Sequence, residues 1–198
     1  MLTLFHAPKS RSSRFIWLLE ELEAPYALKI VNIRRGDGSG AVDPVNPHPH
    51  AKVPAIVHDG ATVFESPAIA LYLTDAYPKN GIGPTIGEPT RGVYLSWLAY
   101  YGDVLEPAFV SKFMNTAVPR GTAGWVSAEE AMEFVIKTLS AGPYLLGEKF
   151  SAADVLYGST FNLFSTSPLL PKTPVIEDYV KRCAARPAYA RAVAKDNG

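Results

Sequence analysis

The order of apolar and polar positions divides the chain into two parts with different periods. LTLFH at 2–6 is a short apolar run that stops in a proline-containing loop, which reads as a strand. In the following SRSSRFIWLLEELEAPY, Phe15, Leu18, Leu19 and Leu22 recur at i, i+3, i+4 and i+7. That spacing marks one face of a helix, and Pro25 ends it. YALKIV (26–31) predicts a second strand. Residues 33–51 hold Gly, Pro, Asp and His without a clear period and predict a loop with at most a short irregular helix. VPAIV and ATVFE flank His58-Asp59-Gly60, and Asp-Gly between two such runs is a strong hairpin signal. A helix from Ser66 to about Tyr77 follows. The order is β-α-β-loop-β-β-α. Its first β-α-β unit is expected to be parallel with a right-handed crossover, and its last pair an antiparallel hairpin.

Beyond this point the strand signal vanishes. PKNGIGPTIGEP (78–89) is rich in Pro and Gly and marks a linker. Segments near 90–115, 126–140, 151–166 and 174–194 all suit helices. The fold class is therefore α/β plus all-α. A small domain over 1–78 and a linker over 79–88 precede an all-helical domain over 89–198. Within the latter, Ser151-Ala-Ala-Asp154 has the form of a capping box. Its carboxylate can take the N–H of Ser151 while Ser151 accepts from the N–H of Asp154. This is a structural feature that starts a helix at the centre of the second domain.

Composition narrows the function classes. The chain has 198 residues and a formal net charge of zero, enough to bury a core but with no general pull toward nucleic acid or an acidic membrane. Nothing approaches the roughly 18 apolar residues of a transmembrane helix. The start MLTLFHAPKS lacks the basic head and long apolar core of a signal peptide, so a cytoplasmic protein is expected. One cysteine, Cys183, excludes an internal disulfide and a thiolate-rich metal site, and it reads as a buried small hydrophobe. His48, His50 and His58 show no metal-ligand spacing on a common element and read as loop residues, so no metal is expected.

The chemistry centres on Pro54. A proline cannot donate to a sheet and belongs at strand starts, edges or bulges. An X–Pro bond also accepts the cis form at a cost of about 0.5–1 kcal/mol. A cis Val53–Pro54 bond would turn the Val53 N–H and C=O outward, where they can pair with the backbone of a bound peptide. At the other end of the hairpin, Ser66 can cap the helix with Pro67 at its first position, and a helix start holds carboxylates. Glu65 beside it can hold an ammonium. Together these suit a small peptide with a free amino-acid head. Each feature alone is more often structural: a strand-start proline, a helix cap, a solvated charge.

These residues carry a family resemblance. VPAIVHDGATVFESPAIALYL resembles the cis-proline loop, hairpin and Glu-Ser motif of the cytosolic glutathione transferases, and HPHAKVP resembles that family's approach to the cis proline. SRSSRFIWLLEELEAPY is similar to its first helix, PYLLGEKFSAADVLYG to its second-domain capping box and RPAYARAVA to its last helix. The resemblance covers nearly the whole chain. It implies a thioredoxin-like first domain, a homodimer, and glutathione as co-substrate, bound by Lys52, Val53, Glu65 and Ser66 beside the structural cis proline Pro54. It also implies a role in detoxification, with a small hydrophobic electrophile as the second substrate.

Family members activate the glutathione thiol with a Tyr, Ser or Cys after the first strand. Matching Pro8 and Arg14 of HAPKSRSSRF to the family's loop places Ser10 at the serine position. Arg11 then falls where cysteine-using members carry cysteine, which excludes mixed-disulfide chemistry there. His6 and Ala7 occupy the region of the tyrosine. Ser12 and Ser13 compete with Ser10, and any of the three can be a simple helix-start residue. A free thiol has a pKa of about 8.5, and lowering it by two units takes about 2.7 kcal/mol. One hydrogen bond to a charged group supplies roughly 1.5–3 kcal/mol, so a single hydroxyl suffices. Ser10 is expected to donate to the thiolate. Lys52 can meet a carboxylate or stay solvated. Tyr100 or Tyr101 can line an apolar pocket. The expected activity is glutathione transfer. The rivals are a glutathione-dependent peroxidase, disulfide reductase or isomerase on the same fold, and a non-enzymatic binding protein.

Overall fold

The computed structural model describes residues 1–196. They form two compact units, one comprising Met1–Asn80 with the described residues from Arg186 onward, the other Gly81–Ala185.

The first unit is built on a four-stranded sheet of order β2-β1-β3-β4. Its strands are β1 (Leu2–His6), β2 (Tyr26–Ile30), β3 (Ala55–His58) and β4 (Ala61–Phe64). β1 pairs parallel with β2 and antiparallel with β3, and β3 turns into β4 through Asp59-Gly60. Both residues of that turn have positive φ, at 49° and 85°, as a tight two-residue hairpin requires. The α/β order is thus the one the periodicity predicts: a thioredoxin-like sheet with α1 (Ser13–Leu22) and α2 (Ser66–Ala76). The loop over 33–51 contains no helix or strand.

Two registers set the position of the chemistry. Phe5 lies opposite Ala55, and Ala55 lies opposite Phe64. The end of β1, the start of β3 and the end of β4 therefore meet at one end of the sheet. Along β1, residues alternate between faces. Leu2, Leu4 and His6 share the buried face, and all three are fully shielded.

The helical pattern predicted over 174–194 is two helices, α7 (Pro174–Ala184) and α8 (Pro187–Asp196). Pro187 cannot continue a preceding helix but suits the start of a new one. α8 packs along α1 within the first unit. The edge of the Tyr189 ring meets Trp17 with centroids 5.0 Å apart. Arg186 makes a bidentate pair with the nearly buried Glu21, and Arg191 and Lys195 both reach Glu20.

The second unit is helical: α3 (Arg91–Tyr100), a π turn (Tyr101–Leu105) running into α4 (Glu106–Phe113), α5 (Ala128–Ser140), α6 (Ala152–Leu163) and α7. α6 is buried along almost its whole length, from Ala152 through Phe161, as a helix apolar on all sides must be. The Asp154 carboxylate takes the N–H and the O–H of Ser151, while the Asp154 N–H goes to the Ser151 carbonyl. Ser151 and Asp154 thus form the reciprocal capping box that their spacing predicts. No helix among the described residues is long and apolar enough to cross a membrane.

Candidate active site

The Val53–Pro54 peptide is cis, and β3 begins only at Ala55. Val53 thus stands outside the strand ladder. It is buried, and it forms one apolar cluster with Ala7 and Val31. Ala7 opens the loop that carries Ser10, so this packing ties the β1 loop to the cis-proline loop. Lys52 is exposed, and its carbonyl accepts from Asn46 Nδ2 at 3.0 Å. Ala51 has φ of 50°, a left-handed conformation that an alanine adopts at a cost.

At the neighbouring corner the structure differs from the sequence expectation. The N-cap of α2 is Glu65, with Ser66 the first helical residue and Pro67 the second. Glu65 has φ of 68° and ψ of 129°, a conformation rarely taken by a residue with a side chain. It turns the chain sharply out of β4 and pushes the helix start one residue earlier. No side chain caps this start. Its first N–H groups are therefore not consumed by a cap, and they lie beside a serine that is 7% exposed. Such a terminus offers a carboxylate both N–H donors and a favourable dipole. His48 borders this corner, its ring centroid 5.3 Å from that of Phe64. Its Nδ1 accepts the His50 N–H at 3.0 Å, which leaves the ring proton on Nε2. Burial lowers the His48 pKa, against the pull of the Glu65 charge.

The serine loop is closely knit. α1 begins at Ser13, so Ser10 precedes the helix by a full turn. The Ser10 hydroxyl is partly exposed, 2.7 Å from the Ala7 carbonyl and 2.7 Å from Ser12 Oγ. Ser12 is fully buried and is not a free helix-start residue. Its Oγ receives the Ala7 N–H at 3.1 Å and lies 2.8 Å from His6 Nδ1. Ser13 donates to Asp196 Oδ1 at 2.7 Å. Ser12 is thus shielded and Ser13 is committed to the Asp196 carboxylate, while Ser10 is partly exposed with its hydroxyl between the Ala7 carbonyl and Ser12. Lys9, with φ of 54°, and an Arg35 hydrogen bond to the Pro8 carbonyl fix the loop's path.

The registers thus bring Ser10, Val53, Pro54, Glu65 and Ser66 to one end of the sheet, with Lys52 beside them. His6 and Asp196 were not singled out from the sequence as site residues, and Ser12 entered only as a competitor of Ser10. His6 carried a signal, since it continues the Leu2-Leu4 alternation and must therefore be buried. Tyr101 moves from candidate pocket residue to core: it is 1% exposed, and its hydroxyl meets Glu106 and Thr160. Tyr100 remains half-buried against Trp97 and Phe134. Among the described residues no group of three or more His, Cys, Asp or Glu side chains is placed to hold a metal ion.

Residues 1–75 match the sequence model of the family described as "Glutathione S-transferase, N-terminal domain". A glutathione S-transferase 3 from Schizosaccharomyces pombe is 29% identical over 78% of this chain and 70% of its own length. A disulfide-bond oxidoreductase, YfcG, from Escherichia coli is 29% identical over 98% of this chain and 95% of its own. Among solved structures, a glutathione S-transferase from Actinobacillus pleuropneumoniae superposes with a TM-score of 0.80 at 27% identity, covering 100% of this chain and 94% of that one. A sphingomonad glutathione S-transferase complexed with glutathione gives 0.76 at 27% identity over 98% of both chains.

Proposed function

Because the chain belongs to the cytosolic glutathione transferase family, we propose that it binds reduced glutathione at this end of the sheet and adds its thiolate to a small hydrophobic electrophile. The observation that carries the reading is the meeting of three complementary groups: an unpaired Val53 backbone, an uncapped α2 start beside Glu65 and Ser66, and the accessible Ser10 hydroxyl. They match the peptide, the amino-acid head and the thiol of one ligand. Lys52 is a further anchor for a carboxylate. The protein acts in the cytoplasm as a homodimer, and a monomer in sedimentation at micromolar concentration refutes that last part.

Ser10 acts as donor to the thiolate, not as a nucleophile. At rest its single O–H is held by Ala7 or Ser12, and a bound thiolate, as the stronger acceptor, draws it away. Ser10→Ala should raise the pKa of the bound thiol and slow conjugation near neutrality about thirtyfold, which corresponds to about 2 kcal/mol. The loss should shrink at high pH, where the thiol ionises unaided. Thiolate absorbance in the ultraviolet, titrated against pH in both proteins, reads the shift directly. Coincident titrations refute the role of Ser10.

A second reading is glutathione-dependent reduction of disulfides. It is favoured by the name of the Escherichia coli relative, which this chain matches along nearly all its length. The chain's own cysteine, Cys183, is buried. Reduction would therefore run on the thiols of glutathione alone. Turnover of chlorodinitrobenzene, a hydroperoxide and a mixed disulfide in parallel separates the readings.

A further inference from the structure

A line of hydrogen-bonding groups runs inward from Ser10. Ser10 Oγ lies 2.7 Å from Ser12 Oγ, and Ser12 Oγ lies 2.8 Å from His6 Nδ1. Asp196 Oδ1, on α8, lies 3.0 Å from His6 Nε2. The imidazole and the Ser12 side chain are fully shielded, while Ser10 is partly exposed. The line is thus a wire from the surface of the candidate site to a buried base. Its polarity can be read at rest. The carboxylate beside Nε2 places the ring proton there, so Nδ1 is an acceptor and takes the Ser12 O–H. The contact to Asp196 is close but off the line of the ring N–H, and Nε2 has no aligned hydrogen bond. The ring holds this position without the full bond that a charged imidazolium would make.

Resting on the reading of Ser10 as the thiol's partner, we infer that His6 is the acceptor of the thiol proton, reached through Ser10 and Ser12 and held by Asp196. Each step balances. The S–H bond breaks and its proton goes to Ser10 Oγ. Ser10's own proton passes to Ser12 Oγ, and Ser12's to His6 Nδ1. The products are a thiolate and an imidazolium, whose charge Asp196 meets. After the transfer every O–H points the other way, from His6 toward the sulfur. Ser10 then donates to the thiolate, so the relay produces the very hydrogen bond the functional reading requires. Ser10 is the catalytic residue, and Ser12, His6 and Asp196 act through it. Ser12, having no exposure, cannot itself touch a substrate.

The surroundings of the ring fit this role. Burial lowers the His6 pKa, the Asp196 charge opposes that shift, and a ring neutral at rest is one able to accept. The neighbours beside His6 are Ile30 of β2 and Val31 just beyond that strand, both apolar. The charge that acts on the ring is that of Asp196 on α8, whose field also reaches Tyr189. Asp196 further takes the Ser13 O–H and approaches the Lys9 N–H at 3.3 Å, so it also orders the loop. A test must separate that structural duty from the electrostatic one.

The separating measurement is a proton count. Reduced glutathione is mixed with the protein in weakly buffered solution containing a pH indicator, and thiolate absorbance is recorded in parallel. S-methylglutathione, which has no thiol, supplies the background. In the wild type, thiolate is expected to form with far less than one proton released per thiolate. One released proton per thiolate overturns the relay. Asp196→Asn keeps an oxygen for Ser13 and Lys9 but removes the charge. It should raise the bound thiol's pKa by about one unit, a tenfold loss of thiolate below it, with Asp196→Glu restoring it. An Asp196→Asn protein of unchanged titration also overturns the relay. Should Ser12→Ala fail to fold, this exposed-end variant still decides the matter. A shifted Ser10→Ala titration with full proton release leaves the functional reading standing and removes only the relay. No glutathione binding, or an unshifted Ser10→Ala titration, removes both.

Discussion

Replacing Asp154 by Asn probes the second unit at its most constrained point. The carboxylate is fully buried and accepts four hydrogen bonds: Leu145 N–H and Tyr179 O–H on Oδ1, Ser151 N–H and O–H on Oδ2. An amide has one accepting end. Whichever way Asn is turned, its NH2 faces one hydroxyl and one backbone N–H. The hydroxyl can reverse and accept, but the N–H cannot. One buried N–H is left unpaired, at a cost of about 1–3 kcal/mol. Against this stands relief from burying a charge. Burial raises the Asp154 pKa to about 6 despite its four donors. The roughly two-unit rise corresponds to about 3 kcal/mol. The unpaired N–H and this relief nearly offset at neutrality, so Asp154→Asn should shift Tm by no more than about 4–8 °C.

The pH dependence gives this argument its sharpest test. The folded pKa lies above the unfolded value, so on acidification the folded state takes up its proton first. This group therefore adds stability as pH falls from about 6 toward about 4. Asn cannot titrate and misses that gain. The wild-type Tm should rise relative to that of Asp154→Asn as pH is lowered through this window, as read by calorimetry on both proteins. A wild-type Tm that falls relative to the variant's means the four donors outweigh burial and hold the folded pKa low. That outcome refutes the reasoning, whatever the size of the gap at neutrality.

Ser66→Ala should weaken glutathione binding, measured by calorimetry, while leaving Tm nearly unchanged, because no side-chain cap is lost at the start of α2; an equal affinity would mean that Ser66 is no anchor. Ala51→Gly relieves a left-handed φ of 50° three residues before Pro54 and should raise Tm by the equivalent of about 0.5–1 kcal/mol. A destabilised variant would show that the unfolded chain's added freedom dominates there.

Local pattern and topology were legible because they rest on short-range rules. Strict alternation, the Asp-Gly turn and the proline before β3 each act within a few residues, and together they fix the sheet order and the end at which Val53, Glu65 and Ser66 meet. The cap of α2 was less legible. Ser66 followed by Pro67 reads as cap and first turn, and only the backbone shows that Glu65, at positive φ, ends the strand one residue sooner. Helix boundaries shift by this much whenever a strained residue replaces a gradual exit.

The serines were ambiguous for a deeper reason. Ser10, Ser12 and Ser13 are chemically identical, and their spacing cannot say which hydroxyl is free. What distinguishes them is their partners, and those come from both ends of the chain. His6 claims Ser12 from the end of β1, and Asp196 claims Ser13 from a helix 183 residues away in sequence. The second claim depends on α8 packing on α1, which Pro187 makes possible by breaking the helical pattern after α7. A helix packed along α1 brings its last described residue to the loop that precedes α1. The assignment of Ser10 as the accessible hydroxyl is thus a consequence of how the chain's end is folded back, and so is the placing of a carboxylate beside His6. A variant that loosens α8 from α1, such as Glu21→Ala, would be expected to disturb both together.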